Sequence, residues 1–235
     1  MTLMSEAGWL FLLRWIHFLS GITWIGLLYY FNLVQTPFVA ETQPAERGAL
    51  VSKLVPRALW WFRWGAMITF LSGWIYLLHF WVGKVGLSTS GAWAILLGSL
   101  LGSIMWANVW FVIWPNQKIV IQNAVDTGAG KPADPAAAPA GARAGLASRT
   151  NVVFSIPMLF FMGAASHLPS LGMPRTGVTF WIVALIIMIA VEVNALMGKP
   201  GTATTKPLAT VSETLWAGFI LAAVFYVWFE IARFI

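Results

Sequence analysis

The sequence contains no cysteine among its 235 residues. This absence excludes disulfide bonds, thiolate metal sites, iron–sulfur clusters and covalently attached haem c. Charged residues are also scarce, at 9% of the chain, whereas an average soluble domain has about 25%. A chain so poor in charge, and 59% hydrophobic, is typical of a protein that crosses a membrane several times.

The start of the sequence lacks the features of a cleaved signal peptide. The stretch "MTLMSEAGW" has no basic residue and no small-residue cleavage site. We therefore expect the first apolar segment to be retained in the mature protein. The net charge of +6 falls mostly in short segments between apolar runs. Such a distribution is a signal of membrane topology, so we expect no nucleic-acid partner.

Six apolar runs are long enough to cross a bilayer as helices, which takes about 20 residues. They occupy residues 9–35, 61–82, 92–114, 150–167, 177–197 and 211–233. Pro157 interrupts the fourth run, where a proline is tolerated if neighbouring helices or water satisfy the freed carbonyl. The sequence therefore predicts an all-α, polytopic membrane helix bundle that forms one domain over residues 1–235.

Basic residues are concentrated in every second connection between the predicted spans. Connections 36–60, 115–149 and 198–210 carry most of them. The alternate side carries Lys84, Arg175 and, at the C-terminus, Arg233. Because lysine and arginine favour the cytoplasmic side, we expect the three basic connections inside and both termini in the periplasm. This topology predicts a multi-pass protein of the bacterial inner membrane.

The longest connection contains a segment of low complexity. Residues 127–145, "TGAGKPADPAAAPAGARAG", are mostly alanine, proline and glycine with scattered charge. Such a composition cannot bury a core, so it predicts a mobile cytoplasmic linker. The linker divides the six spans into two groups of three.

The three histidines lie near the ends of different spans. His17 is in the first span, His79 near the end of the second, and His167 at the end of the fourth. Counting the crossings places all three on one side of the membrane, the outer side by the charge rule. Arg14 lies about one turn from His17 on the same helix face. Ionisable groups inside a membrane are costly and usually mark a functional path or site.

These residue types suit a redox cofactor. Haem b needs one or two axial imidazoles from facing helices and cations for its propionates. His17 and His79 could form the axial pair, with Arg14 on a propionate and His167 as a third ligand or a quinone or proton contact. A copper or zinc ion held by His17, His79 and His167 is a second option. The alternative for each is an interfacial side chain whose polar tip lies in water.

A second polar layer lies toward the inner ends of the spans. It contains Asn32, Arg63, Asn108 and Glu192. An ion pair between Arg63 and Glu192 would neutralise both charges in a low dielectric and fix the register of two helices. The alternative is an inner proton or quinone site in which Glu192 titrates. The sequence does not identify catalytic residues.

Four stretches together resemble the membrane domain of bacterial cytochrome-c-linked urate oxidases. They are "HFLSGITWIGLLYYFNLVQTP" (17–37), "WFRWGAMITFLSGW" (61–74), "NVWFVIWPNQK" (108–118) and the span ending in "SH" (166–167). In that family a multi-span domain is followed by a cytochrome c domain, and electrons from urate pass to the cytochrome. The resemblance implies an outer C-terminus. This sequence has no CxxCH motif, so a cytochrome acceptor would be a separate protein.

The resemblance and the histidines together predict an integral-membrane redox protein. It would pass electrons through an outer-leaflet haem or metal site to a separate periplasmic cytochrome c. The alternative is a non-catalytic accessory subunit of a larger respiratory or photosynthetic membrane complex. Under both hypotheses the protein also contacts membrane lipid.

Overall fold

The structure is a computed structural model that describes residues 2–168, 171 and 177–234. Its described part contains six long apolar helices. They are α1 (Glu6–Glu41), α2 (Glu46–Val85), α3 (Ser90–Gly128), α4 (Ala137–His167), α5 (Gly177–Met197) and α6 (Val211–Ala232). Each is long and apolar enough to cross a bilayer, so the protein is a multi-pass membrane protein. This confirms the predicted all-α fold with six spans. Arg175, which was assigned to the α4–α5 connection, lies outside the described residues.

Helices α1, α2 and α3 extend well beyond their predicted ends. They contain 36, 40 and 39 residues, or about 54–60 Å of rise, against about 30 Å of hydrocarbon in a bilayer. The surplus lies at the end of the bundle that carries the α3–α4 connection, called the linker end below. The opposite end, where the chain starts, is called the terminal end. Val55 and Leu59 are buried in the extension of α2, so helix packing continues there although hydropathy falls.

The predicted linker 127–145 is wrong over its second half. Only residues 129–136 lack regular helix, and α4 begins at Ala137. Alanine is the strongest helix former, and Ala140 and Ala144 are buried. The alanine-rich segment therefore forms the first turns of α4.

Helix α4 is the central helix of the bundle. In its apolar stretch of 18 residues, 61% is buried, whereas the corresponding stretches of the other five helices are 22–33% buried. Pro157 within α4 is buried and cannot donate to the carbonyl of Val153, four residues earlier. Gly218 of α6 packs beside that carbonyl, since a Cβ there would lie 3.2 Å from the Val153 oxygen. The glycine thus allows α6 to pack closely at the interruption.

Several turns of the long helices are wide, with π-type hydrogen bonding. These turns span Tyr30–Gln35 in α1, Leu50–Leu54 and Leu77–Val85 in α2, and Asn108–Ile113 in α3. Such turns are rare and frequently occur at functional sites. Two of them carry Asn32 and Asn108, which belong to the predicted inner polar layer.

Candidate functional site

His17 is held between α1 and α2. Its Nδ1 lies 2.9 Å from the carbonyl oxygen of Thr69 and 3.3 Å from Ser72 Oγ. The Nδ1–H donates to the carbonyl, which leaves Nε2 with the lone pair in the neutral ring. The ring packs directly on Gly73, where an added Cβ would approach its Cε1 to 2.8 Å. His17 is therefore a well-packed contact between two helices.

His79 belongs to an exposed ionic cluster at the terminal end. Its Nε2 lies 2.8 Å from Glu6 Oε1, and Lys84 forms an ion pair with the same oxygen. Glu6 begins α1, and about 16 Å of helix rise separates it from His17. The His79 ring is therefore well displaced from the His17 ring, and the cluster joins the start of α1 to the end of α2.

Two other predicted site residues lie elsewhere at this end. His167 is the last residue of α4 and is exposed. Arg14 is also exposed, and its guanidinium carbon lies 5.4 Å from the centroid of the Tyr76 ring. Arg14 is thus paired with an aromatic ring of α2.

The three imidazoles lie toward one end of the bundle but do not form one site. Within the described residues, no group of three or more histidine or carboxylate side chains could hold a metal ion. The expected three-histidine site is therefore not assembled. Axial haem ligands must reach one iron from facing helices. Because His79 is bound to Glu6, far along α1 from His17, this pair does not fit a haem in this arrangement.

The inner polar layer does form a connected site. Asn108 Nδ2 donates to Asn151 Oδ1 at 2.9 Å and to Glu192 Oε2 at 3.0 Å. Asn151 Nδ2 in turn donates to the carbonyl of Met105 at 3.0 Å. Asn108 and Asn151 are buried, and Glu192 is half-buried. These contacts join α3, α4 and α5 through one chain of hydrogen bonds, called the Glu192 network below.

Helix α1 is tied to α4 at the same end of the bundle. Asn32 Nδ2 donates to Ser148 Oγ and to the carbonyl of Leu28, both at 2.8 Å. The hydroxyls of Tyr29 and Ser155 lie 2.9 Å apart. Polar side chains of α4 thus contact both α1 and α3, which is consistent with its central position.

The predicted ion pair between Arg63 and Glu192 is wrong. The Arg63 guanidinium carbon lies 4.0 Å from the centroid of the Trp114 ring, and no ion pair joins it to Glu192 in the described part of the chain. Arg63 faces the aromatic residues between α2 and α3. Glu192 is bound instead by the neutral amide of Asn108.

The Glu192 network can accept a proton or a polar ligand. No hydrogen bond from the described residues reaches Glu192 Oε1. Gln35 Oε1, one turn from Asn32 on α1, and Thr150 Oγ1, next to Asn151 on α4, are buried without a hydrogen-bond partner among those residues. Buried polar atoms are usually paired, so these atoms leave hydrogen-bonding capacity unused. A carboxylate with one free oxygen can take up a proton without breaking its bond to Asn108.

Four residues of this region, Tyr29, Ser148, Asn151 and Ser155, were missed in the sequence. A signal was present on α4, because Ser148, Asn151 and Ser155 are spaced by three and four residues and share one helix face. A polar stripe on an otherwise apolar span indicates contact with other helices. The predicted span began at residue 150, which excluded Ser148 and obscured the stripe.

Comparison with known proteins identifies one family. The family described as "Urate oxidase N-terminal" matches residues 74–229. The match includes the stretch 108–118 and the end of α4, but α1 lies outside it. It also includes Asn108, Asn151 and Glu192. No curated protein and no solved structure matches the chain.

Proposed function

Since this chain belongs to the urate oxidase N-terminal family, we propose that it is a membrane-embedded redox protein of the urate oxidase type. It oxidises a small electron-rich molecule such as urate and passes the electrons to a separate periplasmic cytochrome c. It resides in the bacterial inner membrane, with both termini in the periplasm. The observation that carries the proposal is the Glu192 network inside a bundle of this family.

The role of Glu192 in the proposal is that of proton acceptor. A carboxyl group inside a membrane helix is costly, and such residues usually face a functional path, often a proton relay. Glu192 has no cationic partner among the described residues, so its charge is not neutralised by the fold. The hydrogen bond from Asn108 fixes Oε2 and leaves Oε1 for the proton.

The electrons and protons of the oxidation balance when Glu192 is the proton acceptor. A two-electron oxidation of a purine such as urate releases two electrons and two protons. Two ferric cytochrome haems each take one electron, and Glu192 takes one proton while the other leaves to solvent. The amide groups of the Glu192 network offer both donors and acceptors, which suits the N–H and C=O groups at the edge of a purine.

The haem b or metal expected from the sequence stays a prediction, and His17 and His79 do not face one another here. When bound, such a group would supply one-electron transfer. An absorption spectrum of the purified protein, recorded before and after reduction with dithionite, measures haem content directly.

Electron transfer is tested with purified protein in liposomes. Urate and ferric cytochrome c are added, and cytochrome reduction is followed by its absorbance. We expect reduction with the wild-type protein, a rate at least about tenfold lower for Glu192→Gln, and no change for Glu41→Gln. Glu41 is an exposed carboxylate at the end of α1, which makes it a matched control.

The thermal midpoint of each variant separates a lost reaction from a lost fold. Absence of urate-dependent reduction with folded wild-type protein would overturn the proposal. Co-purification with a larger complex from native membranes would then support the accessory-subunit alternative.

A further inference from the structure

Two cations converge on one tryptophan between α2 and α3, toward the linker end. The Arg63 guanidinium carbon lies 4.0 Å from the centroid of the Trp114 ring, and Lys118 Nζ lies 5.6 Å from the same ring. The Trp110 ring lies 5.9 Å from Arg63. Within the described residues, no carboxylate forms an ion pair with either cation. Two like charges near one ring repel each other, and an anion would relieve that repulsion.

Several hydrogen-bond donors at this cluster have no acceptor among the described residues. Arg63 Nε is buried without an acceptor, and so are the indole N–H groups of Trp106 and Trp110. The arginine side chain has five donors in a planar fork whose geometry matches phosphate and carboxylate oxygens. A negatively charged group that is rich in acceptors would therefore neutralise the two cations and accept hydrogen bonds from the arginine fork.

The exposed face of α2 next to this cluster changes from cationic to aromatic to aliphatic. In order toward the terminal end, it carries Lys53, Arg57, Trp60, Trp61, Trp64, Ile68, Leu71 and Ile75, all exposed. Tryptophan is enriched at the membrane–water interface. About 16 Å of helix rise separates Trp64 from Ile75, close to the roughly 15 Å depth of hydrocarbon in one leaflet.

We propose that this surface binds an anionic phospholipid in the leaflet at the linker end. The phosphate lies against Arg63 and Lys118, in a cation–indole site completed by Trp110 and Trp114. The acyl chains lie along the aliphatic part of the exposed α2 face. This site is separate from the Glu192 network, and the proposal does not depend on the redox function.

The charges around the cation–indole site also favour an anion. Arg57 lies on the same exposed face of α2, at a neighbouring depth. On α3, Asp126 is two turns beyond Lys118 and is bound to Lys131 at 2.8 Å. On α2, Glu46 is well outside the bilayer level of Trp60. Basic pockets between helices on the cytoplasmic side are known binding sites for anionic headgroups, and a phospholipid also accounts for the exposed tryptophans and aliphatic residues.

The test measures lipid binding to the purified full-length protein in a neutral detergent. Dioctanoyl-phosphatidylglycerol, dioctanoyl-phosphatidylcholine and inorganic phosphate are titrated separately, and binding is followed by thermal midpoint and native mass spectrometry. We expect the protein to bind phosphatidylglycerol and the double variant Arg63→Gln with Lys118→Gln to bind it about tenfold more weakly. The control Arg143→Gln with Lys199→Gln removes two exposed linker-end cations and should bind as the wild type does.

Three results would overturn the proposal. The first is equal affinity for phosphatidylcholine, which would indicate non-specific contact with lipid. The second is unchanged phosphatidylglycerol affinity in the double variant. The third is equal stabilisation by inorganic phosphate at the same concentration, which would indicate an anion site without a lipid. If the double variant does not fold, Lys118→Gln alone is used, because the Lys118 side chain is exposed and its loss should still weaken binding.

Discussion

At the scale of single residues, the surroundings of each polar group decide its role more than its type does. His17 and Glu192 are both ionisable groups within apolar helices. His17 is enclosed by a backbone carbonyl and a glycine of α2, whereas Glu192 keeps one oxygen without a partner among the described residues. The first arrangement stabilises a helix contact, and the second suits a group that changes its protonation.

Gly73→Ala tests the packing of His17. An alanine Cβ would lie 2.8 Å from His17 Cε1, so the ring must move and its hydrogen bond to Thr69 should weaken. We expect a loss of about 1–3 kcal/mol in the free energy of unfolding, as for other overpacked sites. Thermal unfolding in detergent measures it.

The control for this variant is Gly26→Ala in α1, where nothing lies within 4 Å of the added Cβ. It should be neutral or slightly stabilising, because alanine favours helix. Equal midpoints for the two variants would mean that His17 is not packed against Gly73.

At the scale of helices, the close contacts depend on small residues and not on the hydrophobic pattern alone. Gly91 in the first turn of α3 packs against the end of α4, where its Cβ would lie 2.7 Å from the carbonyl oxygen of Ala165. The Trp81 ring, 3.3 Å away, closes the other side. The α3–α4 contact therefore has no room for a side chain at this position.

Gly91→Ala should move α3 away from α4. The obstructing atom belongs to the backbone, so side-chain rotation cannot relieve the clash. We therefore expect the free energy of unfolding to fall by about 1–3 kcal/mol. Gly163→Ala in α4 is the matched control, since nothing lies within 4 Å of its Cβ. Thermal unfolding of both variants checks the prediction, which fails if Gly91→Ala is as stable as the control.

Helix ends were predicted to within three residues at the terminal end of the bundle, and at the linker end for α5 and α6. The predicted range 177–197 agrees with α5, and 211–233 agrees with α6 to within one residue. Helices α1, α2 and α3 exceed their predictions because hydropathy declines at the membrane interface while helical hydrogen bonds and packing continue. The buried residues Val55 and Leu59 of α2 show this continuation.

At the scale of the whole molecule, the absence of cysteine offers a direct test of the predicted topology. Thr2→Cys near the N-terminus and Ala133→Cys in the α3–α4 connection are both at exposed positions. Three crossings, α1 to α3, separate the two positions, so they should lie on opposite sides of the membrane. In intact cells, a membrane-impermeant maleimide should label Cys at position 2 but label position 133 only after the inner membrane is permeabilised.

The reverse labelling pattern would place both termini in the cytoplasm and would contradict the charge-based prediction. Labelling of both positions in intact cells would contradict the three crossings between them. The unlabelled wild type is the natural control, because the sequence contains no cysteine.

The candidate site was predicted only in part. Asn32, Asn108 and Glu192 were recognised as one polar layer, since polar residues are conspicuous in apolar spans. Their partners were not, because Asn151 and Ser148 contact them from α4, at positions distant in the chain. Arg63 packs against Trp114 and does not pair with the Glu192 carboxylate. This contact could not be anticipated, since it depends on how α2 is rotated toward α3.

The sequence by itself determined the all-α class and the six crossings, because hydropathy is a local property. Its lack of cysteine also excluded iron–sulfur clusters and covalently attached haem c. Only the tertiary structure decided which polar groups meet. It separated the histidines, joined Glu192 to Asn108 and turned Arg63 toward tryptophan. These outcomes depend on the rotation of each helix about its axis, which packing of small and large side chains across the bundle sets and no single span encodes.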